Sequence, residues 1–108
     1  MANEWGRGTT PTIDITVPID LREDNVYMTF IQDEIVVLEL NETEFTVEED
    51  SISVPLTQEN TFRMKIGPIK MQIRYVAPDG SSDVSNVMET EVVPVYKNGV
   101  LQYVQRSN

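Results

Sequence analysis

The stretch Ile69-Lys70-Met71-Gln72-Ile73-Arg74-Tyr75 alternates apolar and polar residues without a break. Side chains of a strand point to opposite faces in turn, so Ile69, Met71, Ile73 and Tyr75 share a dry face and Lys70, Gln72 and Arg74 a wet one. A half-buried strand needs a second layer over its apolar side. Pro78-Asp79-Gly80-Ser81-Ser82 follows as a turn cluster, and the extended run Val87 to Val95 can fold back antiparallel. The pattern predicts the last hairpin of a β-sandwich.

The preceding chain repeats this logic. Thr12 to Val17 alternates and is bracketed by Pro11 and Pro18, which places it at a sheet edge. Val26 to Ile31 turns Val26, Met28 and Phe30 inward and Tyr27 and Thr29 outward. Gln32-Asp33-Glu34 makes a turn, and Ile35 to Leu40 returns with Val36, Leu38 and Leu40 on one face. Phe45-Thr46-Val47 and Ser51 to Val54 form a short hairpin around Glu48-Glu49-Asp50. Leu56 to Phe62 breaks the alternation, with Thr57 as N-cap of one helical turn near residues 57–62. The result is an all-β chain of about seven strands with one short helical crossing. Residues 1–8, with two glycines and no periodicity, read as a flexible arm carrying the sole tryptophan, Trp5. Residues 9–96 read as the sandwich and 97–108 as a turn at Asn98-Gly99 with a tail.

Composition removes whole classes of chemistry. The chain has 108 residues, one domain's worth, with neither cysteine nor histidine. Disulfides, Cys- and His-based zinc sites, Ser-His and Cys-His nucleophiles and imidazole acid–base catalysis are all unavailable. The acidic tip Glu48-Glu49-Asp50 and the loop Asp79 to Asp83 lack regular calcium-loop spacing, so neither a metal nor a cofactor is expected. A carboxylate pair such as Asp79 and Asp83 is the one catalytic arrangement left, and nothing places it in a pocket. A net charge of −10 disfavours nucleic acid and anionic membrane as direct ligands. No apolar run reaches the roughly 18 residues of a membrane helix. Acids concentrate between Asp20 and Glu59 and bases after Asn60, which predicts opposite potentials on different surfaces and head-to-tail self-contact.

Several phrases are similar to a family of small proteins from phages and prophages of Gram-positive bacteria. They are Arg7-Gly8-Thr9-Thr10-Pro11-Thr12, Tyr27-Met28-Thr29-Phe30 with Gln32, Leu56 to Thr61, Gln72-Ile73-Arg74, Ser85-Asn86 and Lys97-Asn98-Gly99. The resemblance spans about residues 7 to 100. It implies an immunoglobulin-like antiparallel β-sandwich, and the helical link resembles the E-to-F crossing of that fold. It also implies a non-enzymatic virion component of tail, baseplate or capsid. Such a protein is made in the host cytoplasm and bound to other phage structural proteins. Asn60 departs from the family pattern, where an acid is commoner, as do Pro94 and Tyr96. The candidate contact residues are Trp5, Arg7, Tyr27, Arg74, Tyr96 and Tyr103; Trp5 either folds back to cap its own domain or docks into a neighbouring subunit, where Trp is a favoured anchor. Competing readings are a carbohydrate- or cell-surface-binding module using Trp5, Tyr27, Tyr96 and Tyr103, and an intracellular phage protein that binds a host factor.

Overall fold

The computed structural model describes residues 4–85, 87–95, 99–101, 103 and 104. The strands are β1 (Glu4–Gly6), β2 (Thr12–Thr16), β3 (Asn25–Gln32), β4 (Ile35–Asn41), β5 (Thr46–Val47), β6 (Ser51–Pro55), β7 (Gly67–Val76), β8 (Ser82–Val84) and β9 (Met88–Val93). A single helix, α1 (Gln58–Phe62), lies between β6 and β7. One sheet runs β1-β9-β7-β3-β4 with β8 also on β7, and the other runs β2-β6-β5.

This order is an immunoglobulin-like sandwich. With β2, β6 and β5 as B, E and D, and β3, β7 and β9 as C, F and G, every neighbour falls in place. Strand β4 lies where the variable type adds a strand to the C-F-G sheet. Strand β7 is its spine, bonded to β3 on one side and to β8 and β9 on the other. Its alternation holds: Ile69, Met71 and Ile73 are buried, whereas Lys70 and Arg74 are exposed. They meet Val26, Met28 and Phe30 of β3 and Ile52 and Val54 of β6 in one core.

Helix α1 carries the chain from the smaller sheet to the larger. The Thr57 hydroxyl accepts from the Asn60 N–H at 3.0 Å, and the Asn60 amide oxygen accepts from the Thr57 N–H at 2.9 Å. Asn60 thus closes the capping box that an acid at this place would also close.

The flexible-arm expectation for residues 1–8 is corrected. Glu4–Gly6 pairs in parallel with β9, Trp5 opposite Val92, and Trp5 is only 5% exposed. Its ring meets Phe30 edge-on, 6.2 Å between centroids. Of the two readings of Trp5, the indole therefore caps its own domain and is not free to anchor a neighbour. The domain therefore starts by Glu4; residues 1–3 lie outside the described ones, as do Lys97 and Asn98 of the expected Asn-Gly turn.

The face assigned to Val36 is also corrected. Phe30 pairs with Leu38 but Ile31 with Val36, so Val37 is the extra residue of a bulge. The bulge leaves Leu38 and Leu40 inside and Val36 57% exposed. The turn beyond it is tight, Gln32 facing Ile35, with φ +51° at Asp33 and +62° at Glu34. Positive φ at both central residues suits glycine at the second, and a β-carbon there costs ~1–2 kcal/mol. We expect Glu34→Gly to raise the urea midpoint, stabilising by about 0.5–1 kcal/mol after glycine's extra chain entropy is subtracted. An unchanged or lower midpoint would show that the turn is not strained.

Gln32 is not a turn residue but a buried clasp. Its amide donates to Lys65 O at 2.7 Å and accepts from Lys65 N at 2.8 Å, fixing the link from α1 into β7.

Candidate functional site

The outer face of the larger sheet gathers its polar side chains in a ladder. The β3–β7 register sets Tyr27 opposite Arg74 and Thr29 opposite Gln72, and Glu39 of β4 lies opposite Thr29. The Thr29 hydroxyl donates to Glu39 Oε2 at 3.1 Å, and Arg74 reaches the same carboxylate at 3.7 Å. Gln72 donates to Ser85 O at 3.2 Å. A shallow cavity of about 420 Å³ opens between Tyr27, Arg74, Tyr75, Ser82, Asp83 and Val84. A phenol, a guanidinium, carboxylates and a valine thus lie together on one sheet. The Arg74–Glu39 pair is about half exposed, so it orients groups more than it stabilises the fold.

The other candidates have separate places. Arg7 is half-buried: its Nε donates to Met64 O and one terminal nitrogen to Phe62 O, both at 3.0 Å. Its guanidinium sits 5.2 Å from the centre of the Phe62 ring. It supplies the positive charge that the last turn of α1 lacks and so belongs to the fold's interior joints. Tyr103 is 88% exposed on the tail, and Tyr96 lies outside the described residues. The structure thus unites Tyr27 with Arg74 and sends Trp5 and Arg7 inward. Neither inward residue carries a local pattern; a parallel pairing between the chain's ends leaves no periodic signal.

The acidic loop from Asp79 to Asp83 satisfies its own carboxylates. Asp79 Oδ1 accepts from the Ser81 N–H and hydroxyl, at 2.8 and 2.6 Å, and Asp83 accepts from the Val84 N–H. Among the described residues, no three acidic groups converge to hold a metal. The acidic and basic halves of the chain meet at two ion pairs on the larger sheet and its connections: Lys65 with Asp33 at 3.4 Å and Arg74 with Glu39 at 3.7 Å.

Three carboxyls titrate low. The Arg22 side chain and then its N–H hold Asp20 down to about 2. Backbone hydrogen bonding and the Asn25 amide lower Glu42, and the Ser81 hydroxyl and N–H lower Asp79. Each binds its proton more weakly folded than unfolded. Their stabilisation is therefore complete above the unfolded carboxyl range and is lost as pH falls through the folded values. We expect the melting temperature to be level near pH 6 and to fall steadily from about pH 5 towards 2. A carboxyl NMR titration placing Asp20 at its ordinary value would contradict the bonding described.

No family model and no curated protein matches this chain. Among solved structures, the V domain of amphioxus IgVJ-C2 is similar over 84% of this chain and 99% of its own, at 12% identity and a TM-score of 0.36. The fold assignment stands on strand order and register.

Proposed function

We propose that this chain is a non-enzymatic structural protein of a phage or prophage, a small tail, baseplate or capsid module that works through protein–protein contacts. The observation that carries this reading is where the phage-like phrases fall in the fold. Arg7, Gly8 and Thr9 clamp α1, Gln32 clasps the loop after it, Thr57 and Asn60 close its cap, and Gln72 bonds Ser85. Phrases that build the joints specify a scaffold, which leaves the function to the surface that the scaffold offers. The surface here is the Tyr27–Arg74–Glu39 ladder, flat enough for another protein and without a converging acid–base pair. The carbohydrate reading loses its best platform, because Trp5 is inside; a glycan array without binders is expected. The protein would be made in the host cytoplasm and leave in the particle. Mass spectrometry of purified particles should find it in stoichiometric amounts, and its absence would sink the reading.

A further inference from the structure

The smaller sheet has an open slot for one more strand. Strand β2 pairs with β6 alone, and among the described residues no strand pairs with its other edge. The bonds Leu56 N to Pro11 O and Val17 N to Asp50 O, with Thr12 opposite Pro55 and Thr16 opposite Ser51, fix which groups are free. Thr12, Asp14 and Thr16 form the non-hydrogen-bonded pairs, so their N–H and C=O groups point away from β6. Behind this edge the two sheets gape. Two adjacent cavities of about 360 and 580 Å³ share Ile15 and Met88 as walls. Thr90 lines the larger one with a buried hydroxyl that has no hydrogen-bond partner, a cost that an entering polar group would relieve.

We propose that the slot receives the C-terminal segment Val100–Val104 of a second copy of this chain, added as an edge strand. Pro11 and Pro18 delimit a five-residue strand, and the segment is five residues long. Leu101 and Tyr103 fall on one face of an extended segment and can fill two neighbouring cavities. In their own domain they are 78% and 88% exposed. The Gln58 side chain holds both backbone groups of Leu101, so the tail is anchored at α1 while its apolar side chains stay unused. Charge agrees: Glu4, Asp14 and Glu89 line the larger cavity, while the chain after Glu91 contains Lys97 and Arg106 and no acid. Donor and acceptor are different surfaces, so the contact is heterologous and can propagate. The inference holds whether or not the chain belongs to a virion.

Sedimentation of the full-length protein over a concentration series tests it. The intact chain should self-associate, and less so at high salt. Asp14→Pro removes an outward N–H without touching a β6 bond, and Leu101→Asp with Tyr103→Asp spoils the donor. Each variant alone should weaken association at least tenfold while keeping its circular dichroism and melting transition. Mixed, the two should form one-to-one pairs that grow no further, because only one intact donor and one intact acceptor remain. Since the chain has no cysteine, Asp14→Cys with Gln102→Cys gives a second readout that does not depend on proline being tolerated. Oxidation should yield a ladder of covalent oligomers, and Thr46→Cys with Gln102→Cys should not. An intact chain that stays monomeric up to millimolar concentration, variants that associate like it, a mixture that fails to pair, or a crosslink formed within one chain would each overturn the proposal.

Discussion

Trp5→Ala is expected to lower the unfolding free energy by about 3–5 kcal/mol, the loss typical when a large buried aromatic is cut back to alanine. Single domains are stable by only about 5–15 kcal/mol, so the variant should be close to unfolding at 37 °C. The cost has two sources. The indole is 5% exposed and packs edge-on against Phe30, which is itself wholly buried, so its removal leaves a void between β1 and the core. Strand β1 is also only three residues long and pairs with β9 alone, so the indole is its main attachment to the core ahead of the joint at Arg7. Urea unfolding followed by circular dichroism measures the loss, with Trp5→Phe as the milder comparison. The intact protein should show blue-shifted tryptophan emission. A loss under 1 kcal/mol with red-shifted emission in the parent would mean that the first strand is not docked.

Why this strand is invisible in the sequence, when β7 is plain, follows from what each depends on. Strand β7 declares itself because one face is wet and the other dry along its whole length, and β3 does so nearly as well. The helical turn is legible from Thr57 because a cap is a local arrangement. Strand β1 depends on Val92, almost ninety residues away, and its own Gly6, with Gly8 just beyond, looks like the mark of a loose end. The bulge at Val37 is hidden for a related reason. Three β-branched residues in a row fit either face, so only the partner strand decides which one slips. Gln32 looks like a turn residue because amides usually do; its burial becomes visible only when the loop from Lys65 to Pro68 comes beside it. At the candidate surface, the parity of Tyr27 with Arg74 was readable, whereas the Arg74–Glu39 contact needs the β3–β4 register as well. The open edge of β2 was half legible: two prolines announced an edge, and the cavities behind it require both sheets.

Among the glycines the closest approach is at Gly8, and Gly8→Ala should cost about 2–5 kcal/mol. The backbone there has φ +83°, a region that disfavours any β-carbon by ~1–2 kcal/mol. A β-carbon would also stand 2.4 Å from Phe62 Cζ and 2.7 Å from Cε1, too close without moving the ring. Displacing a packed group adds about 1–3 kcal/mol. The ring cannot retreat freely, because the Arg7 guanidinium lies over it and is bonded to the carbonyls of Phe62 and Met64 at the end of α1. Next to it the buried Thr61 hydroxyl donates to Thr9 O at 2.7 Å, so the segment from Gly6 to Thr10 and the helix are joined at three successive residues. One methyl group at Gly8 therefore strains the entry to β2 and the crossing into β7 together. A double-mutant cycle separates the two costs. In a Phe62→Ala background the steric part vanishes, and Gly8→Ala should then cost only ~1–2 kcal/mol, leaving a coupling of about 1–3 kcal/mol between the two positions. Equal losses in both backgrounds, measured by urea unfolding, would show that the ring is not the obstacle and that backbone conformation alone selects glycine.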